Sequence, residues 1–133
     1  MALKFDTYLA IGIGGFIGAI GRAYTTHLAN TLFKSPFPWG TSIVNLTGSF
    51  ILGVLVALIS LKLVNNPFLK SLFTTGMMGA FTTYSTFAVE SFFLLDSGKW
   101  ERAVGFILLN LIGTIVLAGL GFKTTLTLLG GGR

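Results

Sequence analysis

The chain has 133 residues, of which 53% are hydrophobic and 10% are charged, and its formal net charge is +5. Soluble domains carry about a quarter of charged residues, so this composition argues against a water-soluble enzyme and against an intrinsically disordered chain. The lack of cysteine excludes disulfides, thiolate metal sites and a cysteine nucleophile. No run of basic residues is present, which disfavours nucleic-acid binding. The composition predicts a membrane protein.

Four segments are long and apolar enough to cross the ~30 Å hydrocarbon core of a bilayer, which takes about 20 residues in a helix. They are residues 8–28, 41–61, 72–95 and 103–122, within a single domain that comprises residues 1–133. Short connections with proline, glycine and charged residues separate them. We expect the glycine-rich tail, residues 124–133, to be frayed. The expected fold class is an all-α membrane protein with four transmembrane helices per subunit.

Lysine and arginine residues are almost evenly distributed between the two predicted sides of the membrane, so the usual cue for orientation is missing. One side holds Lys4, Lys62, Lys70, Lys123 and Arg133, and the other holds Lys34, Lys99 and Arg102, together with Arg22 if it lies near that end of its span. A chain with so little bias can insert in both orientations, and the two orientations can pair as an antiparallel homodimer. The alternative is a fixed topology, set by features that this count misses.

Glycine is abundant in all four spans, with 18 glycines in the chain. Gly14 and Gly18 have the spacing that lets two helix backbones approach closely in a membrane. No glycine-rich phosphate loop follows a strand pattern, so we interpret the glycines as packing residues.

Polar side chains form one stripe in each of two spans, at a spacing that places them on one helix face. The stripes consist of Thr41, Asn45 and Gly48 or Ser49 in the second span and of Phe106, Asn110 and Thr114 in the fourth. Hydrogen bonds between helices, worth about 0.6 kcal/mol each, explain either stripe alone. Two stripes together favour a lined path through the protein.

The third span contains five consecutive hydroxyl residues, at positions 82–86, after Gly76 and Gly79. In a continuous helix these residues would surround the axis and some would face lipid, unless each hydroxyl bonded to its own preceding turn. A break near Gly79 and Thr82 inside the protein avoids this, and the freed carbonyl groups can then coordinate a cation. We therefore expect a broken third helix.

Three ionisable residues lie in or near the spans: Arg22, His27 and Glu90. Arg22 either extends to the interface or attracts anions at an entrance. His27 is interpreted as an interfacial residue, since no second histidine and no cysteine is present to share a metal. Glu90 is an entrance or gating candidate, or it is solvated near the end of its span. The chain offers no set of nucleophile, base and orienting group, so we expect no enzyme.

Three motifs together resemble the Fluc/CrcB fluoride channel family: residues 14–22 (GGFIGAIGR), 40–50 (GTSIVNLTGSF) and 76–90 (GMMGAFTTYSTFAVE). With the four spans, the resemblance covers nearly the whole chain. It implies a dual-topology antiparallel homodimer of four-helix subunits in the cell membrane, with two fluoride pores. It also implies a structural sodium ion at the dimer centre, held by the backbone carbonyls of Gly79 and Thr82.

Carried over by motif, the resemblance implies that Asn45 lines a pore and that Tyr84 and Phe87 occupy the family's paired phenylalanine positions. Tyr84 departs from the family's usual phenylalanine, and Asn110 from its usual serine. With the two stripes and the hydroxyl run, the pore-lining set comprises Thr41, Asn45, Tyr84, Ser85, Phe87, Phe106, Asn110 and Thr114.

The sequence thus predicts a fluoride-selective channel that exports fluoride passively, with fluoride, membrane lipid and a second copy of the chain as partners. The alternative is a small proton-coupled multidrug exporter, which would also have four short spans. That class needs an acidic residue in its first span, and residues 8–28 contain none. A structural protein of the membrane would have polar residues at packing faces only.

Overall fold

The computed structural model describes residues 4–130, which form helices and short connections without a β-strand. The long helices are α1 (Phe5–Phe33), α2 (Trp39–Ser60) and α6 (Trp100–Gly130). Between α2 and α6 lie α3 (Pro67–Ser71), a π-helical segment (Leu72–Met78), α4 (Gly79–Phe81) and α5 (Tyr84–Asp96).

Local sequence features explain where the helices begin and end. The Asn66 side chain accepts from the amide groups of Phe68 and Leu69 at 2.9 and 3.4 Å, which caps the start of α3. Lys34 ends α1 in the left-handed conformation, with φ 39°. Gly98, with φ 73°, forms the turn between α5 and α6.

Two helices in the described part of the chain are both long and apolar enough to cross a membrane. They are α2 and α6, whose most apolar windows have mean hydropathies of 2.2 and 2.3. This agrees with the membrane protein expected from composition. The crossings expected at residues 8–28 and 72–95 stay predictions.

The C-terminal helix is longer than the sequence pattern indicated. The fourth apolar span was expected to end at residue 122, but α6 continues to Gly130. Thr125 is buried in this continuation and its hydroxyl donates to the Gly121 carbonyl at 2.8 Å. Residues 124–130 are therefore helical, whereas the rest of the expected frayed tail, residues 131–133, lies outside the described residues.

Glycines mark the closest approaches between helices. A Cβ atom added to Gly14 or Gly18 would collide with the backbone of the π-helical segment, at Leu72 and Met77 respectively. Likewise, a Cβ on Gly121 would collide with the Phe50 carbonyl where α6 packs on α2. The prediction that Gly14 and Gly18 are packing residues is confirmed.

The Gly18→Ala variant should be less stable than the wild type by at least about 1–3 kcal/mol, because the added methyl group has no room beside Met77. Gly15→Ala is the matched control, since a Cβ at Gly15 has no neighbour within 4 Å. Thermal unfolding in detergent would measure both. Equal midpoints for the two variants would contradict the close approach.

Candidate functional site: a polar cleft at the start of α5

A cleft of about 340 Å³ lies between α2, α6 and the segment that joins α4 to α5. Its lining combines polar, aromatic and aliphatic residues: Asn45, Ser49, Leu52, Thr82, Thr83, Tyr84, Phe87, Asn110, Leu111, Thr114 and Ile115. None of these residues is charged. The fold therefore brings Asn45, Tyr84, Phe87, Asn110 and Thr114 of the predicted pore-lining set together.

The other members of that set lie elsewhere. Thr41 lines a separate recess beside Arg22. Phe106 is fully buried, and Ser85 is exposed, with its hydroxyl oxygen 3.5 Å from that of Thr83. These assignments stay predictions.

Asn45 pairs with the backbone of Thr83 through two hydrogen bonds. Its Nδ2 donates to the Thr83 carbonyl at 3.1 Å, and its Oδ1 accepts from the Thr83 amide at 2.7 Å. Both groups are buried, where an unpaired backbone group would be costly. The α2 helix thus holds the connection between α4 and α5 in a fixed position.

This pairing accompanies an interruption of helical hydrogen bonding at Thr82 and Thr83, both of which have extended backbone. The Thr83 amide would donate to the Gly79 carbonyl in a continuous helix, but here it donates to Asn45. The Thr86 amide would donate to the Thr82 carbonyl, but here it donates to Thr83 Oγ1 at 3.3 Å. The carbonyl groups of Gly79 and Thr82 therefore lack their usual helical donors.

Asn110 extends the network from Asn45 to α6. Its Oδ1 accepts from Asn45 Nδ2 at 3.0 Å, and its Nδ2 donates to Ser42 Oγ and to the Phe106 carbonyl at 3.1 and 3.0 Å. The N–H groups of both amides are thus engaged within the protein. Ser42 was missed by sequence reasoning, although it lies three residues before Asn45 on the same helix.

Aromatic rings continue from the cleft into the core. The ring centroids of Tyr84 and Phe87 are 5.4 Å apart, as are those of Phe87 and Phe106. Phe106 in turn meets Phe37 edge-on, at 5.7 Å and 89°. Such contacts fix ring orientation and present ring edges, which carry partial positive charge.

The Arg22 recess is a second cavity of about 430 Å³, lined by residues of α1, by Thr41 and by the start of α5. Arg22, His27 and Asn30 contribute to it from α1. Thr83 lines both this recess, which a cation also lines, and the cleft, which has no charged residue. The entrance role expected for Arg22 stays a prediction.

Glu90 lies on α5 and faces a third cavity, which Lys99 and Asp96 also line. Its carboxyl group is next to the Thr41 hydroxyl, but its Oε2 atom is buried without a hydrogen-bond partner in the described part of the chain. The gating role expected for Glu90 stays a prediction. Among residues 4–130, no group of three or more His, Cys, Asp or Glu side chains is placed to hold a metal.

The Asn45→Leu variant should be destabilised, because it leaves the Thr83 amide and carbonyl unpaired at a cost of about 1–3 kcal/mol for each buried group. Asn65→Ala is the control, since Asn65 is an exposed residue of the α2–α3 connection. Chemical unfolding in detergent would compare them. An Asn45→Leu stability equal to that of Asn65→Ala would rule out the backbone-holding role.

Comparisons with known proteins identify the family of this chain. The family described as CrcB-like protein, Camphor Resistance (CrcB), matches residues 9–122. A fluoride-specific ion channel FluC from Nautilia profundicola is 60% identical over 121 residues, covering 91% of this chain and 94% of the relative. A protein of the same name from Sulfurimonas denitrificans is 48% identical, covering 90% of this chain and 93% of the relative. Another from Campylobacter lari is 42% identical, covering 87% of this chain and 94% of the relative. With the uncharged cleft at an interrupted helix, these matches show that the chain belongs to the CrcB family of fluoride channels.

Proposed function

We propose that this protein is a fluoride-selective channel that exports fluoride passively across the cell membrane of a bacterium and so relieves fluoride toxicity. The observation that carries the proposal is the uncharged cleft, lined by hydroxyl groups and aromatic rings at the start of α5. Fluoride enters a cell as the weak acid HF and dissociates inside. The membrane potential then drives the anion out through a path that needs no coupled ion.

The chemistry of the cleft suits a small, strongly hydrated anion. A selective path must replace the water around fluoride with donors, and it must also release the ion at the other end. The ring edges of Tyr84 and Phe87 are neutral and carry partial positive charge, so they attract the anion without trapping it. Arg22, in the neighbouring recess, would attract the anion toward the cleft.

A second copy of the chain would complete the path. Tyr84 and Ile115 both line the cleft, yet 74% and 73% of their surfaces are exposed, so the cleft is open on one side. An antiparallel homodimer with four crossings per subunit would close it, in agreement with the even distribution of lysine and arginine. The rival multidrug exporter is disfavoured, because the acidic residue of α1 is Asp6 in its first turn and the relatives are named as fluoride channels.

The carbonyl groups of Gly79 and Thr82 fit a structural sodium ion. Both lack the amide donors that a continuous helix would provide, because Asn45 and the Thr83 hydroxyl take those donors instead. Neutral oxygen atoms without a carboxylate suit a monovalent ion better than calcium or magnesium. When bound, the ion would supply positive charge between the two interrupted helices of a dimer.

Purified protein in liposomes should release fluoride but not chloride, and Phe87→Ile should reduce fluoride release at least about tenfold by removing a ring from the path. Phe92→Ile is the control, because Phe92 lies on the same helix but is 59% exposed and does not line the cleft. A fluoride electrode would follow the efflux. Absence of fluoride release by the wild type would refute the proposed function.

Replacing sodium by lithium or potassium during purification should lower the fraction of dimer and the fluoride flux. The Thr83→Val dimer should form only at a higher sodium concentration than the wild-type dimer. Without the Thr83 hydroxyl, the Thr86 amide can donate to the Thr82 carbonyl and so compete with the ion for that oxygen. Thr127→Val, at an exposed position of α6, is the control. Size-exclusion chromatography at several sodium concentrations measures the dimer independently of flux. A dimer fraction that is independent of sodium would count against the site.

A further inference from the structure

Most polar side chains that line the cleft have no free donor. The amide N–H groups of Asn45 donate to Thr83 and Asn110, and those of Asn110 donate to Ser42 and Phe106. An anion would have to displace these buried bonds before either amide could reach it. The two amides therefore serve as supports of the cleft rather than as immediate donors to an ion.

The threonine hydroxyl groups of the cleft are engaged as well. Thr82 Oγ1 donates to the Met78 carbonyl at 3.1 Å, and Thr83 Oγ1 donates to Thr86 Oγ1 at 2.9 Å. Thr114 Oγ1 donates to the carbonyl groups of its own preceding turn. These bonds use the single O–H group of each threonine.

Ser49 differs from these residues. It is half-buried and lines the cleft, and its hydroxyl group makes no hydrogen bond to any residue of the described chain. It lies near the middle of α2 and four residues after Asn45, so it is on the same face of the helix one turn further along. An unpaired hydroxyl at this depth of a membrane protein is costly unless a molecule or ion in the cleft pairs with it.

The packing of α2 places Ser49 next to the interruption before α5. Its neighbour Gly48 lies against Thr82 so closely that a Cβ atom would collide with the Thr82 methyl group. Ser49 itself lines the same cleft as Thr83 and Tyr84, where α5 begins. The Tyr84 hydroxyl also has no protein partner, but Tyr84 is largely exposed and lies at the open side.

We propose that the Ser49 hydroxyl donates a hydrogen bond directly to the fluoride ion in the cleft. This assignment rests on the proposed function and names a fluoride contact that sequence reasoning placed only in a polar stripe. A serine hydroxyl rotates freely, so it can follow the ion along the path and then release it. Ser49 thus provides the mobile donor, and the engaged amides keep the wall of the cleft in shape.

The test compares fluoride efflux from liposomes that contain the wild type, Ser49→Ala, Ser49→Thr or Ser49→Val. Hydrogen bonds to charged groups are among the stronger ones in proteins, so Ser49→Ala should reduce flux at low fluoride about tenfold or more. Threonine and valine have nearly the same shape and differ in the hydroxyl group. Ser49→Thr should therefore conduct much faster than Ser49→Val, even if the added methyl group slows both.

Thr47→Val is the matched control. Thr47 lies two residues away on α2, is exposed, and donates to the Ile43 carbonyl at 2.6 Å, so losing its hydroxyl should leave flux unchanged. Wild-type flux in Ser49→Ala, or equal flux in Ser49→Thr and Ser49→Val, would overturn the assignment. A wild-type protein that passes no fluoride would overturn the proposed function instead, so the two failures are distinguishable.

Discussion

The pairing of the Asn45 side chain with the backbone of Thr83 determines the rest of the site. One carboxamide satisfies both the amide and the carbonyl of a buried residue, in place of the helical bonds that would continue α4 into α5. Without it, the Thr83 amide could return to the Gly79 carbonyl and the two helices could merge. The interruption, the free carbonyl groups and the position of Tyr84 all depend on this pair of bonds.

Glycine packing makes the pairing geometrically accessible. Lipid tails are as apolar as leucine, so helices in a membrane gain stability from close van der Waals contact and from hydrogen bonds rather than from burial alone. At Gly48, α2 approaches Thr82 without an intervening side chain, which brings Asn45 within reach of the next residue, Thr83. The small residue and the polar residue therefore act together, one turn apart on the same helix.

The sequence predicted the polar residues of this site better than the hydrogen bonds between them. Helical spacing identified Asn45, Asn110 and Thr114 as members of polar stripes, because periodicity reports which residues share a face. It could not identify Ser42 or the Thr83 backbone as their partners, since that choice depends on how three helices pack. The end of α6 was placed too early for a related reason. The apolar run ends at residue 122, whereas α6 continues to Gly130. Helical backbone hydrogen bonds and the burial of Thr125 do not require an apolar sequence.

The length of α6 has a consequence for its position in the bilayer. Its 31 residues rise about 46 Å, whereas a helix tilted by about 20° needs about 32 Å to cross a hydrocarbon core of about 30 Å. If α6 crosses the bilayer at such a tilt, about 14 Å of helix, or roughly nine residues, would lie among lipid headgroups or in water. With Trp100 at one interface, where tryptophan usually settles, most of the excess would fall at the other end of the helix, from Lys123 onward. Hydrophobic mismatch would then make the last two turns of α6, which carry the exposed Leu128, an interfacial helix.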